Sequence, residues 1–130
     1  MFEKMEIFRM AQGLATHAAA RQVAIARNVA NADTPGYRAQ DIAPFSETYR
    51  ARDAQGLRAT RPGHILPGEA EAPQWRVSDA DRPGTLKPNG NNVSLETETM
   101  LAAEVRGQHE LALSVYRSAL GIMRTSLGRR

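Results

Sequence analysis

The sequence predicts a mainly α protein: long N- and C-terminal helices pairing as an antiparallel, coiled-coil-like core, with a small irregular β- and loop-rich middle domain between them. Three observations carry this. All seven prolines lie between Pro35 and Pro88, and six of the ten glycines between Gly36 and Gly90, so only the two ends are free to be long helices. At both ends apolar residues recur at steps of four and three, the spacing of a coiled-coil seam. Asn28 to Arg38 (NVANADTPGYR) then closes the first helical pattern with residues that force a turn. The expected division is an N-terminal core helix over 1–33, a turn with a small middle domain over 34–91, and a C-terminal core helix over 92–130.

In the N-terminal helix Ile7, Ala11, Leu14, Ala18, Arg21, Ile25, Asn28 and Ala32 form one seam. Beside it runs a second row, Ala15, Ala19, Val23, Ala26 and Ala30, small enough for another backbone to approach closely. Arg21 and Asn28 interrupt the first seam, as Gln108 interrupts its counterpart in the C-terminal helix. Buried, such residues cost stability and fix register or partner choice; at the solvent edge they do neither. Glu3, Lys4, Glu6 and Arg9 break up the first fifteen residues, so neither the apolar core of a signal peptide nor a membrane span is expected there.

At the turn, Pro35 fixes its own φ and pushes Thr34 out of the helical region, while Gly36 supplies the positive φ that the third position of a type II turn requires. Asn31 and Asp33 suit turn conformations, and the amphipathic ring of Tyr37 is placed to lock the exit against a neighbour. By physics alone this is a helix stop. In the middle, short β-leaning stretches such as Gln74 to Val77, separated by Pro-Gly turns, suggest a small strand element.

The C-terminal helix repeats the arrangement of the first. Leu101, Val105, Gln108, Ala112, Val115, Ala119, Ile122 and Ser126 form one seam, and Leu113, Tyr116, Leu120, Met123 and Leu127 the next. The seam through Val115 is expected to face the N-terminal helix and the one through Met123 to face neighbouring chains. Ser94 or Asn92 is the expected N-cap, and Glu96 and Glu98 at the start with Arg124, Arg129 and Arg130 at the end complement the helix dipole. Two helices can cover one seam each but lack the material to cover both, so the second faces call for other chains unless the middle segment folds over them. Gly13, Gly107 and Gly121 each cost about 1 kcal/mol relative to alanine inside a helix, so the helices are expected to be weak alone and to order on assembly.

Other chemistries find little footing. The pI of 9.8 suggests a polyanion partner, but the net charge of +3 is spread thinly along the chain with no concentrated basic face, so nucleic acid is not an expected partner. With no cysteine, disulfides and thiolate sites are excluded. His17, His64 and His109 have no metal-ligand spacing, and Gly84 to Gly90 lacks the lysine and spacing of a phosphate loop. The pairs Asp79/Asp81 and Glu69/Glu71 read as solvated loop charges, and His64 as a turn residue or subunit contact. No catalytic residue, cofactor or metal is expected.

Ala30, Asn31, Thr34, Pro35, Gly36 and Tyr37 spell A-N-x-x-T-P-G-Y, with Asn28-Val29 before and Arg38 after. This resembles the N-terminal signature of bacterial flagellar axial proteins. Pro88 to Met100 (PNGNNVSLETETM), through Gly90, Asn91, Asn92, Val93, Leu95 and Glu96, resembles the segment that opens the C-terminal helix in the FlgB-type family of proximal rod proteins; Arg61 to Ile65 (RPGHI) resembles that family's mid-chain His-Ile element. The glycine-tyrosine-proline segment of the sister FlgC-type family is missing. The resemblance implies a structural subunit of the flagellar rod that polymerises through its terminal helices. Its implied partners are other copies of itself, other rod proteins including FlgC-type subunits, the rod adaptor FliE, the MS-ring protein FliF and the flagellar type III export apparatus, with no membrane insertion. It further implies export, unfolded and without a cleavable signal peptide, to a rod in the periplasm. Two other classes fit the residues: a soluble helical adaptor or export chaperone, which would be a folded dimer alone, and a cell-wall hydrolase, which would lose turnover with one carboxylate.

Overall fold

A computed structural model describes residues 2–49, 75–82 and 86–128. It contains helix α1 (Phe2–Ala30), strand β1 (Gln40–Ile42), strand β2 (Val77–Asp79) and helix α2 (Leu95–Ser126). A short helical stretch over residues 45–49 follows β1. The Arg61 to Ile65 element with His64, the Glu69/Glu71 pair, Gln74, Gly84 and the terminal Arg129 and Arg130 lie outside the described residues.

The two helices pack antiparallel, as the order of their contacts shows. Phe8 meets Tyr116 edge-on with ring centroids 5.3 Å apart. Ala18 and Ile25 pack with Val105, flanked by Leu101 and Ala102, and Asn28 reaches Glu98 in the first turn of α2. Ser94 is the N-cap of α2, its hydroxyl accepting from the Thr97 amide at 3.4 Å, with Glu96 and Glu98 behind it and Arg124 in the last turn. Asn92, the other candidate cap, is buried and engaged elsewhere.

The seams do not run straight along the helix pair. In α2 Val105 and Ala112 are buried, but Val115 is 36% exposed and Ile122 56% exposed. A strict 4,3 pattern slips about 20° per heptad on a straight α-helix. At about 100° per residue, Met123 lies five whole turns beyond Val105 and shares its direction, while Val115 and Ile122 have rotated roughly 80–100° away. Leu120 and Met123, both half-buried, therefore take over the inward line, while Tyr116 reaches Phe8 from a position that stays 39% exposed. The expectation that Val115 serves the intrachain pair and Met123 the neighbours is overturned in this half of the helix.

Ile7 and Leu127 are also exposed at the open end, whereas Leu14 and Leu113 are half-buried. On α1 the outer row is uncovered at Ala19, Val23, Ala26 and Ala30. Ala19, Val23 and Ala26 of this row, with Ala18 and Gln22, form one wall of a shallow groove of about 480 Å³, opposite Val105, Arg106 and His109 of α2.

These positions set an expected result for mutagenesis. Met123→Asp should lower the stability of the full chain by about 1–3 kcal/mol, while Val115→Asp should stay within about 0.5 kcal/mol of the parent, as exposed positions do. Urea denaturation of the two variants measures the difference. Equal losses would mean that α2 is supercoiled and keeps Val115 against α1.

At the other end β1 and β2 pair antiparallel, with Gln40 opposite Asp79, Asp41 opposite Ser78 and Ile42 opposite Val77. A second small core, Ala32, Ala39 and Val93 with Tyr37 and Ala80 against it, adjoins the strands. It joins the end of α1, the turn and the approach to α2.

Candidate functional site: the motif junction

Pro35 and Gly36 stand exposed at the tip of the turn, where the Tyr37 amide donates to the Thr34 carbonyl at 3.3 Å and Gly36 has φ +72°. Asn31 and Thr34 close the helix end: the Asn31 amide side chain donates to the Arg27 carbonyl at 2.8 Å, and the Thr34 hydroxyl to Asn31 Oδ1 at 3.2 Å. The second motif folds directly onto this turn. The Gly36 amide donates to the Asn89 carbonyl at 2.9 Å, and Asn91 Nδ2 donates to the carbonyls of Asn31 and Thr34 at 2.9 and 2.8 Å. Gly90, at φ +81°, lies so close that a Cβ there would sit 3.6 Å from the Gly36 Cα. Lys87 Nζ donates to the Ala32 carbonyl at 3.0 Å, which satisfies an orphan acceptor past the end of α1.

Each buried asparagine bridges segments distant in sequence. Asn28 is fully buried; its Oδ1 accepts from the Gln40 amide and the Tyr37 hydroxyl, and its Nδ2 donates to the Gln40 carbonyl and to Glu98 Oε2. Asn92 accepts from the Ala39 amide at 2.6 Å and donates to the Ala80 carbonyl at 3.1 Å, so it ties both strand ends to the start of α2. Asn91 Oδ1 accepts from the Val93 amide. A carboxamide is suited to this because it donates and accepts without bringing a charge into the core. Ala30, Leu95 and Glu96 contribute little here, since all three face solvent.

A chain of charges runs through the same junction. Arg21 holds Asp41 through two bonds, Nε to Oδ1 at 2.8 Å and Nη2 to Oδ2 at 3.1 Å. Arg82 spans Asp41 at 3.4 Å and the fully buried Glu98 at 3.2 Å. Burial alone would push the Asp41 carboxyl up, but the Arg21 bonds, the Ile42 amide and the charge of Arg82 outweigh it and hold Asp41 below its ordinary value. The same Asp41 bonds raise Arg21 against its own desolvation. Of the polar seam residues, Asn28 is thus buried and Arg21 is paired in a partly buried site. Gln108 stays half-exposed, bonded to Glu104 one turn back.

Sequence reasoning missed Asp41, Arg82 and Lys87 entirely, and saw in Glu98 only a helix-dipole charge. One signal was present: an arginine on an otherwise apolar seam needs a buried counter-charge. Which of the fourteen acidic residues supplies it is not readable without the fold.

The turn carries a second expected result. Gly36→Val should cost about 1–3 kcal/mol through backbone strain alone, because open space surrounds the site of its Cβ and only the positive φ opposes the substitution. Tyr37→Phe forfeits one hydrogen bond, about 0.5–1.5 kcal/mol. Thermal denaturation of both variants should rank Gly36→Val as the more damaging; the reverse order would make the hydroxyl the governing contact.

The fold and junction are those of a helical-hairpin protein: two long helices held in register by their flanking motifs, with apolar rows left uncovered outside. The family described as Flagella basal body rod protein matches residues 8–38, which span much of α1 and the turn. The flagellar basal body rod protein FlgB of Agrobacterium fabrum (strain C58) is 30% identical over 121 residues, covering 89% of this chain and 88% of the relative. FlgB of Escherichia coli K12 is 35% identical over 122 residues, 88% of both chains, and that of Salmonella typhimurium LT2 is 34% identical over 122 residues, 85% of both. The chain belongs to the FlgB family of flagellar basal body rod proteins.

Proposed function

We propose that the protein is a structural subunit of the proximal rod, polymerising through its terminal helices into part of the drive shaft that carries torque from motor to hook and filament. The observation behind this reading is end-to-end similarity to FlgB proteins over 89% of the chain. It is supported by apolar residues that the isolated hairpin leaves uncovered on both helices, including Val23, Leu111, Val115 and Ile122. In this reading the three-part division stands: helices over 1–33 and 92–130 form the inner core with neighbouring subunits, and 34–91 forms a middle domain around it. Other copies, FlgC-type subunits, the rod adaptor FliE and the MS-ring protein FliF are its partners, and the type III apparatus exports it to the periplasm. Among the described residues no helix is long and apolar enough to cross a membrane.

The test is a clean deletion with complementation, scored for motility and for basal bodies by electron microscopy. The expected result is loss of swimming and of complete rods, restored by the wild-type chain. Normal rods in the deletion strain would refute the reading.

A further inference from the structure

His17 is fully buried, yet it takes no part in the motif junction. Its Nε2–H donates to the Ala43 carbonyl at 2.8 Å, which leaves Nδ1 as the lone-pair nitrogen of a neutral ring. That atom is buried with no hydrogen-bond partner. The imidazole stands nearly perpendicular to Trp75, with centroids 4.9 Å apart, and tilted against Phe45 at 5.6 Å. Phe45 in turn touches Tyr49 and Trp75. Among the described residues, the other unpartnered polar atom of this cage is the Trp75 indole Nε1–H, a donor.

Protonation therefore turns Nδ1 into a second donor where the leftover group is already a donor, and places a charge in a buried, desolvated pocket, a cost that cation–π attraction to the rings offsets only in part. Among the described residues, the charged groups nearest the cage do little to offset this. Arg21, one turn along α1, repels an imidazolium, and Asp41 on β1, which would attract it, is engaged by Arg21. Glu47 in the 45–49 stretch and Arg76 beside Trp75 both face solvent. Burial is the main influence holding His17 below 6.5, partly opposed by the Ala43 bond.

We propose that His17 is a proton-operated latch. Neutral, it seats Ala43–Phe45 and Trp75 on α1. Protonated, it releases them while the α1–α2 core stays paired. The released form binds the proton more readily, so the docked form is favoured above the ordinary histidine range. It loses ground as the pH falls from 6.5 toward the lowered value, by up to about tenfold per pH unit.

Trp75 is the only tryptophan of the chain and reports the latch directly. In the full-length protein its emission should be blue-shifted at pH 7.5 and move to the red with a midpoint below 6.5, while far-ultraviolet circular dichroism holds its helical signal. His17→Leu, which keeps the apolar contacts, and His17→Gln, which can still donate to Ala43, should both abolish the transition. Emission already red-shifted at pH 7.5, a shift that persists in both variants, or helix loss with the same midpoint would each overturn the proposal.

Discussion

Arg82→Leu should lower the stability of the full chain by about 3–5 kcal/mol, the cost of leaving a buried carboxylate without its cation. Glu98 has no exposed surface, and its carboxylate is held by the Arg82 guanidinium at 3.2 Å and by Asn28 Nδ2 at 3.0 Å. Removing Arg82 leaves one amide donor for a full negative charge, and Asp41 loses its second cation as well. Urea denaturation at pH 7 measures the loss. The mechanism is separable from packing: adding Glu98→Gln removes the stranded charge while keeping its shape, so the double variant should recover more than half of the deficit. A single variant within about 1 kcal/mol of the parent would show that solvent reaches Glu98 once the arginine is gone.

Asn28→Asp should be comparably severe although it replaces one atom group by another of the same size. The amide that now donates to Glu98 and to the Gln40 carbonyl becomes an oxygen facing both, so two hydrogen bonds turn into contacts between acceptors. Two carboxylates then share one buried site, and like charges at that range oppose ionisation of both. A loss of about 3 kcal/mol or more is expected at pH 7. Acidification to pH 5 should restore part of it, because protonating one carboxyl recreates a donor. The sign distinguishes this variant from Asn28→Ala, which lacks the second carboxyl and should show no such recovery. Stability and motility measured together at the two pH values check both points; an Asn28→Asp chain that is no weaker at pH 7 than at pH 5 would contradict the shared-site argument.

These effects converge on residues whose importance was unevenly visible in the sequence. The NVANADTPGYR and GNNVSLE runs stood out, and Asn28, Asn91 and Asn92 fell inside them, because turns and helix starts need residue types that are uncommon elsewhere. Their partners did not stand out. Gln40, Ala39 and Ala80 take part through backbone atoms, which carry no residue-specific signal, and Arg82 is one arginine among many. His17 reads in the sequence as a lone histidine beside an alanine run; its cage is built from Phe45 and Trp75, brought onto α1 by the chain's return.

By itself the sequence determined the class of the fold, the two helices and where they stop, because proline and glycine positions, 4,3 periodicity and capping chemistry act within a few residues of where they are written. Only the tertiary structure decided which apolar row of each helix faces inward, and how Arg21, Asp41, Arg82 and Glu98 join into one network. A helical row drifts with the true 3.6-residue turn, so the inward line passes from Val105 and Ala112 to Leu120 and Met123, leaving Val115 and Ile122 outside. Charges pair by distance in space, which a linear pattern does not encode.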